Sequence, residues 1–574
     1  MTTATQNGKL RPVRRRQVPA GAESGDLAPL DPLLARIFAA RGIRSPVELD
    51  YSLGLLAPVS SLPGIDAAVE LLLQHRERRI VVIGDFDADG ATSTALVLRC
   101  LREFGFVDVS YLVPNRFDFG YGLTPEIVRV AAARSPDLLL TVDSGIACLP
   151  GADEAHRLGM KVLVTDHHLP GPALPEASAI VNPNLKGSTF ASPNLAGVGV
   201  AFYLMAALGR RLESEGRESA SKIPARYLDL VALGTVADVV ALDHNNRILV
   251  TQGLRRIRAG HAVAGITALL EQAGRQVNKT SSAELGFVVG PRLNAAGRLE
   301  DMSIGIECLL TDDGKSAQRI AATLDDINRD RQSIEAGMRA QAFEFLDAMS
   351  ADNLPDCVAV FDPCWHQGVV GLIASRVRER CHRPTIAFAR NDDGQLKGSA
   401  RSVPGVHIRD LLESIATTHP GLIGRYGGHA MAAGLTLAEE DFPSFATAAA
   451  RQIRRLYPDA DFSGAILTDG PLPAIAINLR FAKVLREAGP WGAGFAEPVF
   501  SGRFEIVEQR TVGESHLKLK VRPDDASQVF DAIAFRQAGP AYRGHAELTY
   551  RLDINEYRGS ETPQLVVEQI VSIA

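Results

Sequence analysis

The stretch Ile80-Val-Val-Ile-Gly-Asp-Phe-Asp-Ala-Asp-Gly-Ala-Thr-Ser-Thr-Ala95 constrains this chain more than any other. It opens as a continuous apolar run, as a strand buried on both faces requires. It then delivers Asp85, Asp87 and Asp89 at alternate positions, turns at Gly90 and enters a helical pattern from Ala91 to about Phe104. Three carboxylates two residues apart repel one another, and a divalent cation is the usual offset to that repulsion. The place also fits, because open α/β sheets bind ligands beyond the carboxyl ends of their strands. A plainer reading is an Asp-rich turn with a helix N-cap, which accounts for Asp89 but not for all three.

From residue 80 to about 182 the pattern alternates strand and helix. Apolar runs at Ile80–Ile83, Val107–Val113, Leu138–Val142, Lys161–Thr165 and Ala179–Val181 predict a parallel sheet wrapped by helices. Residues 197–310 read as mainly helical. Lys315 to about Met349 is charged, amphipathic and free of proline, which predicts one long helix able to bridge two domains. A second α/β unit follows, with strands near Cys357–Phe361, Thr385–Ala389 and Gln395–Gly398. Five further runs, Val499–Val507, His516–Val521, Val529–Ala534, Ala546–Leu552 and Gln564–Val571, predict a small barrel of the OB type, a fold that often holds single-stranded nucleic acid. The expected organisation is a flexible tail over 1–25, a catalytic domain over 26–312, a connecting helix over 313–350, a second α/β domain over 351–461 and the barrel over 462–574. Arg11, Arg14, Arg15 and Arg16 make the tail basic; it reads either as a phosphate-touching arm or as an ordinary solvated terminus.

The net charge of −6 is close to neutral for 574 residues, so any nucleic-acid binding must use a local basic groove. No apolar run reaches the length of a membrane span, and the six cysteines lack a C-x-x-C. These features lead us to expect a reduced, cytoplasmic protein without a membrane partner.

The acidic stretch recruits further groups in chain order. Asp143 follows the run Leu138–Val142, Asp166-His167-His168 follows Lys161–Thr165, and Asp238 lies in Gly234-Thr-Val-Ala-Asp238. Adjacent strands lie ~4.8 Å apart, so carboxylates at neighbouring strand ends can converge on two ions ~3.5–4 Å apart. Carboxylates with one or two imidazoles suit Mg²⁺ or Mn²⁺ better than zinc. Each piece alone has a plain alternative, such as a turn aspartate or a helix cap with two core or surface histidines. Together, at successive strand ends, they make a metal-site constellation.

With these residues in view, the chain resembles the DHH phosphoesterase superfamily, and within it the bacterial single-strand-specific exonucleases. The resemblance rests on Gly84-Asp-Phe-Asp-Ala-Asp-Gly90, Val142-Asp-Ser-Gly-Ile146, Asp166-His-His168 and Gly234-Thr-Val-Ala-Asp238. It continues in Pro114-Asn-Arg-Phe117, Gly120-Tyr-Gly-Leu123 and Gly290-Pro-Arg-Leu-Asn-Ala-Ala-Gly-Arg298. In the second unit Trp365-His-Gln-Gly-Val-Val-Gly371, Gly398-Ser-Ala-Arg-Ser402 and Gly427-Gly-His429 look like the accessory DHHA1 domain. The resemblance implies that Asp87 and Asp143, with Asp85 nearby, hold one ion, and that Asp89, Asp143, His167 and Asp238 hold the other. His168 would stand beside the scissile phosphate as donor or acid, or else support the site from behind. Substrate contacts are expected from Arg116, Arg292, Asn294, Arg298, Arg376, Ser399, Arg401, Gly428 and His429. For Arg376, capping or pairing on a surface is the alternative; Trp365 or Tyr121 could stack on a base or belong to a core.

The implied activity is a two-metal exonuclease that degrades single-stranded DNA 5′→3′ to mononucleotides in recombinational and mismatch repair. A single-strand-binding protein and a helicase would be partners of a monomeric enzyme. The competing readings are a phosphodiesterase for short oligonucleotides or cyclic dinucleotides and a non-catalytic DNA-binding scaffold. Relatives of the first kind are shorter and lack the barrel; those of the second have lost metal ligands that are all present here.

Overall fold

The computed structural model describes residues 10–20, 27–115, 122–349, 354–391, 393–513, 515–537, 541–557 and 559–573. The chain forms two compact units. One comprises residues 20–330 together with 489–497; the other comprises 1–19, 331–488 and 498–574.

The first unit is built on an all-parallel sheet in the spatial order Asp108–Leu112, Arg79–Ile83, Leu138–Val142, Lys161–Thr165, Ala179–Val181. The strand runs expected from the apolar pattern are therefore present. The chain steps outward from Arg79–Ile83 in one direction and then returns to its other side. The crevice for ligands in such sheets lies at that reversal, beyond the strand ends. Ile80 to Ile83 and Leu138 to Leu140 are completely buried, as continuous apolar strands with helices on both faces must be. Helix Ala88–Glu103 follows the first of these strands at once and is buried along nearly its whole length.

The second unit holds a mixed sheet in the order Arg425–Gly428, Ala432–Leu437, Leu396–Arg401, Thr385–Arg390, Val358–Phe361. Only the last two strands pair in parallel, through the crossover helix Val370–Cys381. Three of these strands were legible in the sequence. Arg425–Gly428 and Ala432–Leu437 were not, because glycines at 427, 428 and 434 weaken the strand signal. Five strands, Phe500–Val512, His516–Pro523, Phe530–Ala534, Gly544–Tyr557 and Ser560–Ser572, close into a barrel. The long helix is observed as Gly314–Ala348, 35 residues.

The amino-terminal segment departs from the expected tail. Val13–Arg15 forms a short strand parallel to Ile466–Thr468. Arg14 pairs with Asp461 at 2.7 Å and Arg11 Nε donates to the Gly464 carbonyl at 2.6 Å. The arginines that made the segment look solvated thus attach it to the second unit.

Residues 489–497 are part of the core of the first unit although the whole of 331–488 separates them from it in the chain. Trp491 and Phe495 stack on each other with ring centroids 5.1 Å apart, and Phe38 stacks on both. The Arg247 guanidinium lies 4.4 Å from the Phe495 centroid and that of Arg41 5.2 Å from Trp491. Leu242 N–H donates to the Ala493 carbonyl at 2.7 Å. Removing a buried phenyl costs about 3–5 kcal/mol. Phe495→Ala is therefore expected to lower the unfolding free energy read from denaturant titration of the full chain by that amount, whereas Ile475→Ser, at a side chain 87% exposed, stays within about 0.5 kcal/mol. Equal effects of the two substitutions would refute the core assignment.

Candidate metal centre

The site is made by strand ends and helix starts. Asp87 has an extended backbone and caps helix Ala88–Glu103, its side chain accepting from Asp89 N and Gly90 N at 2.9 and 3.0 Å. The cap is therefore Asp87 and not Asp89: the turn tightens so early that Asp89 already lies inside the first helical turn. Gly90 is required there, since a Cβ would stand 2.6 Å from the Asp85 carbonyl oxygen. The Asp89 carboxylate is buried and accepts from Gly197 N and Val198 N at 2.6 and 2.9 Å, at the start of helix Gly197–Ser214. Two helix N-termini thus face the acidic groups, and their partial positive charge offsets part of the repulsion.

Asp143 stands at the end of Leu138–Val142 with φ 59°, a left-handed conformation uncommon outside glycine. Gly197 allows it, because a Cβ at 197 would fall 2.5 Å from the Asp143 side chain. Asp166, one strand over, is not part of the open cluster. It accepts from Ile146 N, His167 N and His168 N and from His168 Nδ1 at 2.7 Å, which fixes both histidines and leaves the Nε2 edge of His168 as its outward atom. Asn182 and Asn184 complete the frame by donating to the carbonyls of His168 and His167 at 2.9 and 2.6 Å. The sequence signal for them was the polar Asn-Pro-Asn directly after a strand. Asp238 caps the carboxyl end of helix Leu228–Ala237.

The structure brings Asp85, Asp87, Asp89, Asp143, His167, His168 and Asp238 together. Ligand-capable atoms within 4.8 Å of one another form three sets: Asp85, Asp87 and Asp143; Asp89, His167 and Asp238; and Asp143, His167 and His168. Asp143 and His167 each belong to two sets. His167 Nε2 lies 3.2 Å from Asp143 Oδ1 and 3.5 Å from Asp238 Oδ2.

Burial first, and then the charges of Asp89, Asp87, Asp238 and Asp85, push the Asp143 carboxyl well above the usual range. Asp238 moves the same way for the same reasons, and burial and Asp87 carry Asp89 up to about 7. Burial would raise Asp166 as well, but the hydrogen bond and charge of His168 overcome it and hold the carboxyl low. In return Asp166 overcomes the burial of His168 and raises its imidazole to about 9. Hard oxygen donors with one or two imidazoles, packed until they repel, fit Mg²⁺ or Mn²⁺.

The expected strand-binding residues divide. Asn294 Oδ1 accepts from Ala88 N at 2.9 Å and so holds the acidic turn itself. Arg292 is bonded to Asp325 and to the Val288 carbonyl, and Arg376 to Glu335 and Glu379. Both arginines sit in ion pairs of their own unit, the alternative weighed for Arg376. Arg298 is half-buried in the last turn of helix Gly290–Leu299. In the second unit Arg401 Nη1 donates to Ser399 Oγ at 3.1 Å on strand Leu396–Arg401. Gly427, Gly434 and Ser399 lie in register across three strands; Gly428 ends the strand that carries Gly427, and His429 follows it. Trp365 is core: it is 4% exposed and its indole N–H donates to Gln341 at 2.9 Å. Arg116 and Tyr121 lie outside the described residues.

Comparison with known proteins agrees with this geometry. Three family profiles match: the DHH family N-terminal domain over 79–235, the DHHA1 domain over 355–455 and the RecJ OB domain over 468–569. The chain is 50% identical to the single-stranded-DNA-specific exonuclease RecJ of Dickeya dadantii and 49% identical to that of Escherichia coli, in each case over 97% of this chain and 98% of the relative. The crystal structure of RecJ in complex with Mn²⁺ from Thermus thermophilus superposes with a TM-score of 0.80 at 31% identity, covering 98% of this chain and 79% of that one. The corresponding Mg²⁺ complex superposes with a TM-score of 0.74 at 30% identity, covering 98% of this chain and 78% of that one. A catalytic-type acidic cluster on a doubly wound sheet, an accessory mixed sheet and an OB barrel therefore occur here in one polypeptide, and the chain belongs to the RecJ family of single-stranded-DNA-specific exonucleases.

Proposed function

We propose that this protein is a two-metal exonuclease that hydrolyses single-stranded DNA from the 5′ end to mononucleotides. The observation that carries the reading is the pair of acidic ligand sets, one of Asp85, Asp87 and Asp143 and the other of Asp89, His167 and Asp238, linked by a third that contains both Asp143 and His167, in a chain half identical to single-stranded-DNA-specific exonucleases. Asp85, Asp87 and Asp143 would hold one Mg²⁺ or Mn²⁺ ion, and Asp89, Asp143, His167 and Asp238 the other. When bound, such a pair polarises the phosphodiester and lowers the pKa of a water. The remaining steps belong to the chain. Asp166 holds His168 protonated near neutrality with its Nε2 edge outward, ready to donate to the leaving oxygen. Asn294, Gly197 and Val198 keep the carboxylates in place. Arg298, Ser399, Arg401, Gly428 and His429 supply donors for the strand's phosphates.

Among the described residues no single helix is long and apolar enough to cross a membrane. A cytoplasmic monomer that receives strands from a helicase and a single-strand-binding protein, in recombinational and mismatch repair, completes the proposal.

On single-stranded DNA labelled at either end, wild type with Mn²⁺ is expected to release a 5′ label early as mononucleotide while a 3′-labelled ladder shortens gradually. Asp143→Ala should abolish both. His168→Ala should lower kcat about 10²–10⁴-fold with Mn²⁺ binding retained. If wild type binds the strand yet cuts neither label, the scaffold reading prevails.

The raised carboxyls also predict how the metal-free protein responds to pH. A carboxyl whose pKa is raised by folding keeps protons that the unfolded chain has released, so it destabilises the fold as pH rises. The loss runs from about 4, the unfolded value, through about 7, where Asp89 titrates. Metal-free Asp143→Asn should therefore melt higher than metal-free wild type at pH 8, by roughly 2–4 °C for each kcal/mol relieved. The gap should close toward pH 4, and the variant should lose the stabilisation by Mn²⁺ that wild type shows. Melting curves that show no gap at pH 8, or one widening toward pH 4, would contradict the repulsion argument.

A further inference from the structure

The acidic cluster is unevenly covered. Asp85, Asp89, Asp143 and Asp166 are at most 4% exposed, whereas the side chains of His168 and Asp238 keep 26% and 24%. The cluster therefore opens at the edge formed by His168 and Asp238. Asp238 ends helix Leu228–Ala237, and against the last turn of that helix packs a π-helical turn, Leu285–Val289. A Cβ on Gly286 would meet Val236 Cγ1 at 3.2 Å, and one on Gly290 would meet Ala237 Cβ at 3.2 Å. Between those two contacts Phe287 is 83% exposed, while Leu285, Val288 and Val289 are buried.

The turn that carries this ring is firmly held. Arg292 donates to the Val288 carbonyl at 2.8 Å and is itself fixed by Asp325. Turns of the π type are rare and gather at functional sites. Val239, directly after Asp238, is 68% exposed and has φ 63°, which for a β-branched residue is a strained conformation. One exposed apolar side chain would be unremarked on any surface. Here a phenyl ring on a held turn and a strained valine both flank the end of the helix that presents Asp238 to the metal centre.

We propose that Phe287 is a base-stacking platform for the substrate strand. Its ring takes the face of a nucleobase beside the phosphodiester held at the cluster, with Val239 bordering the contact. This rests on the exonuclease reading and deepens it, because it names a residue that selects single strands. A base in a duplex has its faces covered by neighbours and is tied to a partner, while an unpaired base is free to leave its stack. Every base has a π-face, so the contact serves any sequence.

The test compares wild type, Phe287→Ala and Phe287→Trp on a single-stranded oligonucleotide and on the same strand with abasic residues at its 5′ end. Loss of one stacking contact corresponds to about a ten- to hundred-fold change. Phe287→Ala is expected to raise KM on the normal strand by that factor, with the melting temperature and calorimetric Mn²⁺ binding unchanged. The abasic substitution should cost wild type the same factor and Phe287→Ala nothing further. Phe287→Trp should retain activity, and its indole fluorescence should be quenched by the normal strand but not by the abasic one. If Phe287→Ala leaves KM unchanged, or raises it equally on both strands, the platform is refuted while the exonuclease reading stands. If wild type itself digests neither strand, the exonuclease reading fails first.

Discussion

Mutual repulsion among buried carboxylates governs this structure. Asp89, Asp143 and Asp238 stand where burial and neighbouring negative charge both oppose ionisation. Nothing in the packing of the sheet requires acids there. What surrounds them is compensation: the starts of helices Ala88–Glu103 and Gly197–Ser214, and backbone donors on Asp85, Asp87 and Asp89. These donors reduce the repulsion without removing it, and a pair of divalent cations would supply the remaining positive charge. A fold that keeps so costly an arrangement does so for chemistry rather than stability.

Sheet order makes the convergence possible. Arg79–Ile83, Leu138–Val142 and Lys161–Thr165 are adjacent and parallel, so their carboxyl ends deliver Asp85, Asp143 and the two histidines to one place. Asp166 then works as a frame rather than a ligand. By accepting from three backbone N–H groups and from His168, it orients both imidazoles and sets the proton of one. The left-handed Asp143 and the close approach of Gly197 belong to the same fitting of a carboxylate into a space with little room.

Much of this was legible in the sequence, for a physical reason. Continuous apolar runs followed at once by acids mark buried strands and their ends, so the sheet and the seven clustered side chains could be read together. The frame was harder to see, because Asn182 and Asn184 act through hydrogen bonds that have no periodicity. That Asp87 rather than Asp89 caps the helix could not be read from the spacing, since both suit an N-terminus and only the backbone angles decide. Strands rich in glycine escaped for want of side chains to alternate. The arginines of residues 11–16 looked solvated because charge in a sequence does not reveal its partner; Asp461 is far away in the chain. Phe287 gave no signal at all, since an exposed phenylalanine and a core one read alike.

The packing of residues 489–497 into the first unit bears on how the protein comes into being. Phe38, Arg41 and Arg247 form a socket whose occupants, Trp491 and Phe495, are translated long after it. While the ribosome makes everything between residues 247 and 491, that socket stays open and Leu242 lacks the carbonyl of Ala493. Leu242 lies four residues beyond Asp238. A nascent chain therefore carries every acid and histidine of the cluster well before the segment next to the last of them is pinned. The core of the first unit is thus closed only by residues from the far end of the chain.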